Sequence, residues 1–82
     1  MKLDTIAAIA TPLGVAGVGI IRLSGSEACH IATQLLAKPL TPIPRYAHFV
    51  SVRHPKTQTA LDEGLLLYFK APHSYTGEDC VE

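Results

Sequence analysis

The sequence is short of charged residues and has no excess of either sign. Lysine, arginine, aspartate and glutamate make up only 17% of its 82 residues, and seven basic side chains balance seven acidic ones. Broad electrostatic binding to nucleic acid or to an anionic membrane needs clustered basic residues, and here they are spread singly. The composition therefore favours a small neutral ligand or a protein partner.

Cysteine and long hydrophobic runs are scarce as well. Cys29 and Cys80 are too few and too far apart for a disulfide scaffold, which predicts reduced thiols in a cytosolic protein. No apolar run reaches the roughly 18 residues needed to span a membrane, and Asp4 interrupts the short apolar N-terminus. We therefore expect a cytoplasmic protein. No metal site is predicted, because metal-ligand spacing is absent among the four histidines, His30, His48, His54 and His73.

Hydrophobic residues are plentiful, at 48% of the sequence. This fraction predicts a globular chain rather than a disordered one, and the length allows one small domain. The core of such a domain is thin, so we expect it to pack against a partner surface, either more of its own chain or a second copy.

The apolar pattern predicts an α+β fold, a small and mainly antiparallel sheet with one amphipathic helix. The helix is expected at about 26–37, where apolar side chains recur at helical spacing in Ala28, Ile31, Ala32, Leu35 and Leu36. Ser24 and Glu27 have the spacing of a capping box at its start. Strands are predicted at 4–11, 17–23, 45–54 and 61–70, and the last two form a hairpin. The second strand is mostly apolar and is expected to be buried on both faces.

A glycine-rich segment, TPLGVAGVGIIRLSG, raises the question of nucleotide binding. Gly14 and Gly19 have the G-x-x-x-x-G spacing of a phosphate-binding loop. Ile20 and Ile21, however, stand where such a loop needs Lys and Ser or Thr, and the next element is predicted to be a strand rather than a helix. The glycines are better explained by a tight turn and the close approach of a neighbouring chain or flat ligand.

Three segments resemble the N-terminal domain of the tRNA-modification GTPase family MnmE, also called TrmE. They are DTIAAIATPLGVAGVGIIRLSG, PRYAHF and LDEGLLLYFKAPHSYTGEDCVE. The family opens with D-T-I-x-A-x-A-T-P-x-G and later carries P-R-x-A and S-[YF]-T-G-E-D-x-x-E. The resemblance covers nearly the whole sequence, with the motifs in order. Val15 and Ala16 depart from it, because the family often has a charged residue and a glycine there.

The resemblance implies a folate-binding, dimerising domain similar in fold to the folate-binding aminomethyltransferase domain. The expected cofactor is a tetrahydrofolate derivative, 5-formyltetrahydrofolate. The family, with its partner protein MnmG, modifies carbon 5 of the wobble uridine in certain tRNAs. It hydrolyses GTP with Mg and potassium in a separate G domain. Residues 1–82 are accordingly expected to be an incomplete folate domain, without the G domain and the helical domain.

Two residues carry over from the family's folate site. Arg22 of G-I-I-R and Glu82 of G-E-D-x-x-E stand where the family contacts the cofactor, and no catalytic residue is expected. A guanidinium offers a fixed donor fork, and a carboxylate accepts adjacent N–H groups of a pterin ring. From the residues alone, a strand arginine paired with a nearby acid is the favoured interpretation of Arg22, and the family resemblance reverses this preference.

Other residues leave two interpretations open. Tyr75 is expected either to line a pocket or to pack in the core. Glu78 and Asp79 are interpreted as helix-start or solvated acids rather than a catalytic pair, and Ser24 as a cap rather than a nucleophile.

The departures at Val15 and Ala16 also allow a pure homodimerisation module without ligand. An aminomethyltransferase-like enzyme is disfavoured by the T-P-x-G and S-Y-T-G-E-D segments.

Overall fold

In the part of the chain that the structure describes, the protein forms two antiparallel sheets with one short helix. A computed structural model describes residues 4–11, 14 and 18–82. The elements in these residues confirm the predicted α+β class. In chain order they are β1 (Ile6–Ile9), β2 (Ile21–Ser24), α1 (Ala28–Thr33), β3 (His48–Arg53), β4 (Ala60–Leu66), β5 (Tyr68–Phe69) and β6 (Cys80–Val81).

The larger sheet has four strands in the order β1-β2-β6-β5, and every neighbouring pair is antiparallel. The strand β6 lies between β2 and β5, so it joins the glycine-rich N-terminal part of the chain to the segment that follows the hairpin. Leu23 pairs with Val81 and Ser24 pairs with Cys80. This register sets which side chains face each other at the candidate site.

The smaller sheet is the predicted hairpin of β3 and β4. Its register runs from His48 opposite Leu66 to Arg53 opposite Ala60, with an irregularity at Val52/Arg53. The hairpin is tied to the chain after α1, because the N–H of Ala37 donates to the Ser51 carbonyl at 3.0 Å. The two sheets therefore share the short core beside the helix.

The core is as thin as the length predicts. Its fully buried apolar members are Ala28 and Ala32 of α1, Leu66 and Val81, with Leu23, Val50 and Tyr68 packed against them. The helix thus turns its small residues inward, while Ile31 of the same predicted stripe remains 38% exposed. Burying alanines lets the helix lie close to the sheet, but each contributes little apolar area.

Two predictions about the helix are wrong in detail. The helix spans Ala28–Thr33 rather than 26–37, because the chain leaves it to form a bridge between Leu36 and Val52 of the hairpin. The capping box is absent: Glu27 occupies the N-cap without a side-chain cap, and its N–H bonds to the Thr5 hydroxyl. Tertiary contacts have replaced the local interactions that the sequence pattern favoured.

The predicted second strand is also shorter and less buried than expected. It begins at Ile21 rather than at residue 17, and the Ile21 side chain is 64% exposed. Residue 17 and the two departures, Val15 and Ala16, lie outside the described residues. A strand does follow Gly19, as the argument against a phosphate loop predicted.

Candidate ligand-binding site

Arg22 and Glu82 form an ion pair at one end of the β2–β6 ladder. The pairing of Leu23 with Val81 places the next residue of each strand, Arg22 and Glu82, opposite each other. Nε and Nη2 of Arg22 donate to the same carboxylate oxygen, Oε2, at 2.8 and 2.5 Å. The two residues predicted from the family motif are therefore in direct contact, and the register of two strands puts them there.

The backbone on both sides of the pair is fixed. The N–H and carbonyl of Glu82 exchange hydrogen bonds with the carbonyl and N–H of Leu67, both at 2.9 Å. The side chains are only partly exposed, at 33% for Arg22 and 14% for Glu82. Such a pair is held in one arrangement, yet solvent or a ligand can reach the guanidinium.

The ion pair adjoins an aromatic surface. The Arg22 guanidinium carbon lies 4.5 Å from the centre of the Tyr75 ring, a cation–π distance. Tyr75 in turn packs edge-on against Phe69, with ring centres 5.6 Å apart. Tyr75 is 70% exposed, so it lines a surface rather than packing in the core, which resolves the two interpretations of this residue.

Two open clefts lie along this aromatic surface. The larger, of about 490 Å³, is lined by Arg45, Phe69, Pro72, His73, Ser74 and Tyr75. The smaller, of about 330 Å³, is lined by Pro44, Arg45, Lys70, Ala71 and His73. Arg45 and His73 belong to both, so the clefts are two parts of one groove. Tyr75 lines this groove and contacts Arg22, whereas Arg22 and Glu82 themselves line neither cleft.

The electrostatics of the pair keep the arginine charged. Hydrogen bonding to Glu82 is the main cause that raises the pKa of Arg22, and the negative charge of Glu82 adds to it. Burial raises the pKa of the neighbouring Cys80 thiol, although the charge of Arg22 opposes that shift. The site therefore presents a permanent cation, while the neighbouring Cys80 thiol is buried.

The loop that carries Tyr75 is anchored by three residues, Ser24, Glu78 and Asp79. From the sequence, the serine was interpreted as a helix cap and the two acids as helix-start or solvated groups. The buried Ser24 hydroxyl shares a 2.7 Å hydrogen bond with Thr76 and donates to Glu78 at 3.4 Å. Asp79 accepts from the Ala71 N–H at 2.9 Å. Ser24 is thus not a cap, and Glu78 and Asp79 precede a strand rather than a helix; all three fasten the loop to the end of β2.

A glycine allows the chain to turn beside this anchor. Gly25 has φ of +138°, and its N–H donates to the Asp79 carbonyl at 2.9 Å. A Cβ atom at this position would lie 2.5 to 2.8 Å from atoms of Thr5. Only glycine fits where β1, the end of β2 and the loop meet.

Of the other residues considered from sequence, only His73 reaches the groove. His30 contacts Gln34, and the buried His48 ring accepts the Ile43 N–H at 2.9 Å. Within the described part of the chain, no group of three or more His, Cys, Asp or Glu could hold a metal. The groove residues Phe69 and Arg45 were missed, because their role depends on how the loop folds over β5.

The sequence also led to expectations about the state of the cysteines and about membrane-spanning segments. Cys29 and Cys80 are free thiols, the first partly exposed and the second buried. In the described residues, no helix has the length and hydrophobicity to cross a membrane.

Comparison with known proteins places residues 5–82 in one family, described as "GTP-binding protein TrmE N-terminus". Similar curated proteins carry the name "tRNA modification GTPase MnmE". The one from Psychrobacter cryohalolentis is 56% identical over 99% of this chain. The one from Histophilus somni is 51% identical over the whole chain, and that from Bordetella parapertussis is 49% identical over 94% of it.

The chain spans only a small part of these relatives. It covers 16% of the Psychrobacter and Bordetella proteins and 18% of the Histophilus protein. The similarity therefore concerns their N-terminal region, the region that the family description names.

Proposed function

This chain belongs to the family of the GTP-binding protein TrmE N-terminus, and on that premise we propose that it binds a reduced folate and forms a homodimer within a tRNA-modifying GTPase. The folate is a tetrahydrofolate carrying one carbon, 5-formyltetrahydrofolate. The observation that carries the proposal is the contact between Arg22 and Glu82, together with the stacking of Arg22 on Tyr75, a wall of the aromatic groove.

The ion pair has hydrogen-bonding capacity left for a ligand. Both bonds from Arg22 end on Oε2 of Glu82, and no described residue donates to Oε1. A pterin ring presents adjacent N–H donors, which the free side of a carboxylate accepts. Nη1 of Arg22 keeps its donors for a ring carbonyl or the formyl oxygen. One charged pair would thus offer an acceptor and a donor side by side to neighbouring polar atoms of one flat ring.

The groove supplies the apolar contact that a flat ring needs. Tyr75 and Phe69 are its aromatic walls, and the 490 Å³ of the larger cleft falls in the usual range of small-molecule sites. A ligand ring packed against the edge of Tyr75 would lie next to the guanidinium of Arg22, which covers one face of the tyrosine at 4.5 Å from the ring centre. Polar recognition and stacking would then act on the same part of the ligand.

In the proposed function this chain binds and positions the cofactor and performs no bond-breaking step. Fixing a one-carbon carrier next to its acceptor lowers the entropic part of the barrier to transfer. The acceptor would be carbon 5 of the wobble uridine in tRNA, presented in a cytoplasmic complex with MnmG. GTP hydrolysis, with Mg and potassium, would take place in a separate G domain.

Calorimetric titration with 5-formyltetrahydrofolate tests the proposal. Arg22→Gln removes the cation and most of the donor fork, and we expect it to weaken binding about tenfold or more, as for a lost charged hydrogen bond. Arg53→Gln is the matched control, because the Arg53 side chain donates to the Gln58 carbonyl in the hairpin loop and lines neither cleft. No heat of binding from a protein that circular dichroism shows to be folded would refute the folate function.

A homodimerisation module without ligand is the second candidate, and the outer edge of the larger sheet favours it. β1 is an edge strand whose Ile6 and Ile9 are 62% and 61% exposed. Such an apolar edge is suited to a second copy. This candidate predicts a dimer in sedimentation equilibrium that Ile9→Lys dissociates and that neither Arg22→Gln nor folate affects.

A further inference from the structure

We propose that the basic end of the groove, formed by Arg45, Lys70 and His73, binds the carboxylate-rich tail of the ligand whose ring lies beside Tyr75. The inference rests on the proposed folate function and specifies the ligand further, as one with several γ-linked glutamates. The groove supports it by its continuity, since Arg45 and His73 line both clefts and Lys70 lines the cleft with Pro44.

The charge at this end is not neutralised by the protein. Throughout residues 4–11, 14 and 18–82, the one ion pair within 4.0 Å is Arg22–Glu82, so neither Arg45 nor Lys70 has a carboxylate partner there. Two permanent cations and an imidazole thus line one small cleft of a chain whose net charge is zero. This local excess attracts an anion.

The backbone of Arg45 is held in an unusual conformation at this cleft. Its φ is +63°, a left-handed value that non-glycine residues rarely adopt. The Arg45 N–H donates to the Tyr68 carbonyl at 2.8 Å, and Pro44 forms a bridge with the same tyrosine. β5 therefore fixes the base of Arg45 and also carries Phe69, an aromatic wall of the ring site. Backbone strain kept at a cleft points to a functional constraint on this residue.

The chemistry of these groups matches carboxylates on a flexible tail. An arginine fork donates two parallel hydrogen bonds to a carboxylate, whereas a lysine binds it as a point charge and tolerates several positions. Because the cations are exposed, each contact is modest and weakened by salt. Affinity should therefore rise with the number of carboxylates in the tail, and the gain should fade at high ionic strength.

The test compares three ligands that share one ring system and differ in their tails. The full chain is titrated with 5-formyltetrahydropteroamide, whose benzamide end carries neither a glutamate nor a charge, and with the mono- and triglutamyl forms of 5-formyltetrahydropteroate. In low salt we expect the triglutamyl form to bind about tenfold more tightly than the tail-free form, as for two or three exposed ion pairs. The double variant Arg45→Gln/Lys70→Gln should bring this ratio close to one without changing the affinity for the tail-free ligand.

Glutamine at position 45 preserves the backbone, since Gln58 already adopts φ of +61° in this protein. Lys56→Gln is the control for lost charge, because Lys56 lies in the turn of the hairpin and lines neither cleft. It should leave the ratio unchanged. Thermal melting of each variant verifies that it is folded.

Four results would overturn the inference, and they separate it from the folate function. Tail-free and triglutamyl ligands of equal affinity, or a ratio insensitive to the double variant, would refute the tail site and leave the folate function standing. Absence of binding by all three ligands would refute the folate function and the tail site with it. A double variant that loses affinity for tRNA while keeping the ratio would assign the cleft to RNA phosphate instead.

Discussion

Arg22 and Glu82 are 60 residues apart in the sequence, yet Nη2 and Oε2 lie 2.5 Å from each other. The contact depends on the position of β6 between β2 and β5 in the larger sheet. Because β6 follows the turn-rich loop and pairs with β2, it brings Glu82 beside Arg22. The same arrangement brings Tyr75 of that loop over the guanidinium. A single strand insertion thus assembles the cation, the acceptor and the aromatic wall.

Neutralising the Glu82 carboxylate should weaken ligand binding more than it destabilises the fold. Glu82→Gln keeps the shape of the side chain but removes the charge that attracts both Arg22 and the ring N–H donors. We expect folate affinity to fall about tenfold in calorimetry, in keeping with the strength of hydrogen bonds to charged groups. Glu63→Gln, on the exposed part of β4, is the control and should bind like the unmodified chain. Equal affinity for both variants would exclude Glu82 from the site.

Two glycine substitutions should have effects of opposite sign. Gly25→Ala combines a φ of +138° with a Cβ less than 3 Å from Thr5, and should destabilise the fold by about 2–4 kcal/mol. Gly64→Ala meets no atom within 4 Å in β4, and should be neutral or stabilise by up to about 1 kcal/mol. Urea unfolding measures both. Equal losses would show that the close approach at Gly25 is not real.

The hydroxyl of Ser24 should stabilise the loop rather than the helix. Ser24→Ala removes the hydrogen bonds to Thr76 and Glu78, with an expected loss of about 0.5–1.5 kcal/mol in urea unfolding. The exposed Ser26→Ala should change stability by less than about 0.5 kcal/mol. A double-mutant cycle with Thr76→Val should show coupling, and helical circular dichroism should persist. Additive losses would contradict the cross-link.

The buried thiol of Cys80 should make the fold less stable in alkali. Burial raises the pKa of the folded thiol, so the folded state retains its proton where the unfolded state has lost it. This stabilisation is complete below the unfolded pKa of about 8.5 and is lost as pH rises through the folded pKa. At pH 8, iodoacetamide should therefore label Cys80 more slowly in the folded protein than in urea, as peptide mapping would show. Equal labelling rates would contradict the burial.

The sequence predicts best those parts of the structure whose interacting residues are close together in the chain. Parts that depend on residues far apart in the chain are predicted less well. The β3–β4 hairpin follows from two β-rich runs joined by a loop of turn-forming residues, so the local pattern suffices to predict it. The helix existed as predicted, but its end was decided by the bridge from Leu36 to Val52. Ser24 had the spacing of a helix cap, but its hydroxyl hydrogen-bonds Thr76, which is 52 residues away in the sequence. Long-range partners compete with local ones, and the local pattern does not reveal them.

The candidate site shows the same division. Arg22 and Glu82 were named through the family motif, since no periodicity relates residues on β2 and beside β6. Phe69 and Arg45 went unrecognised because the first reads as an ordinary strand residue and the second as a solvated cation. Only the fold of the loop over β5 makes them walls of one groove.

The most direct test is the NMR signal of the Arg22 side chain during a titration with 5-formyltetrahydrofolate. The Nε–H of Arg22 donates to Glu82 at 2.8 Å and should give a resolved signal, whereas Arg53 serves as the internal reference. The account predicts that the Arg22 signal shifts in proportion to the heat of binding, while the Arg53 signal stays in place. A ligand that saturates the protein and leaves the Arg22 signal unmoved would contradict the proposed site.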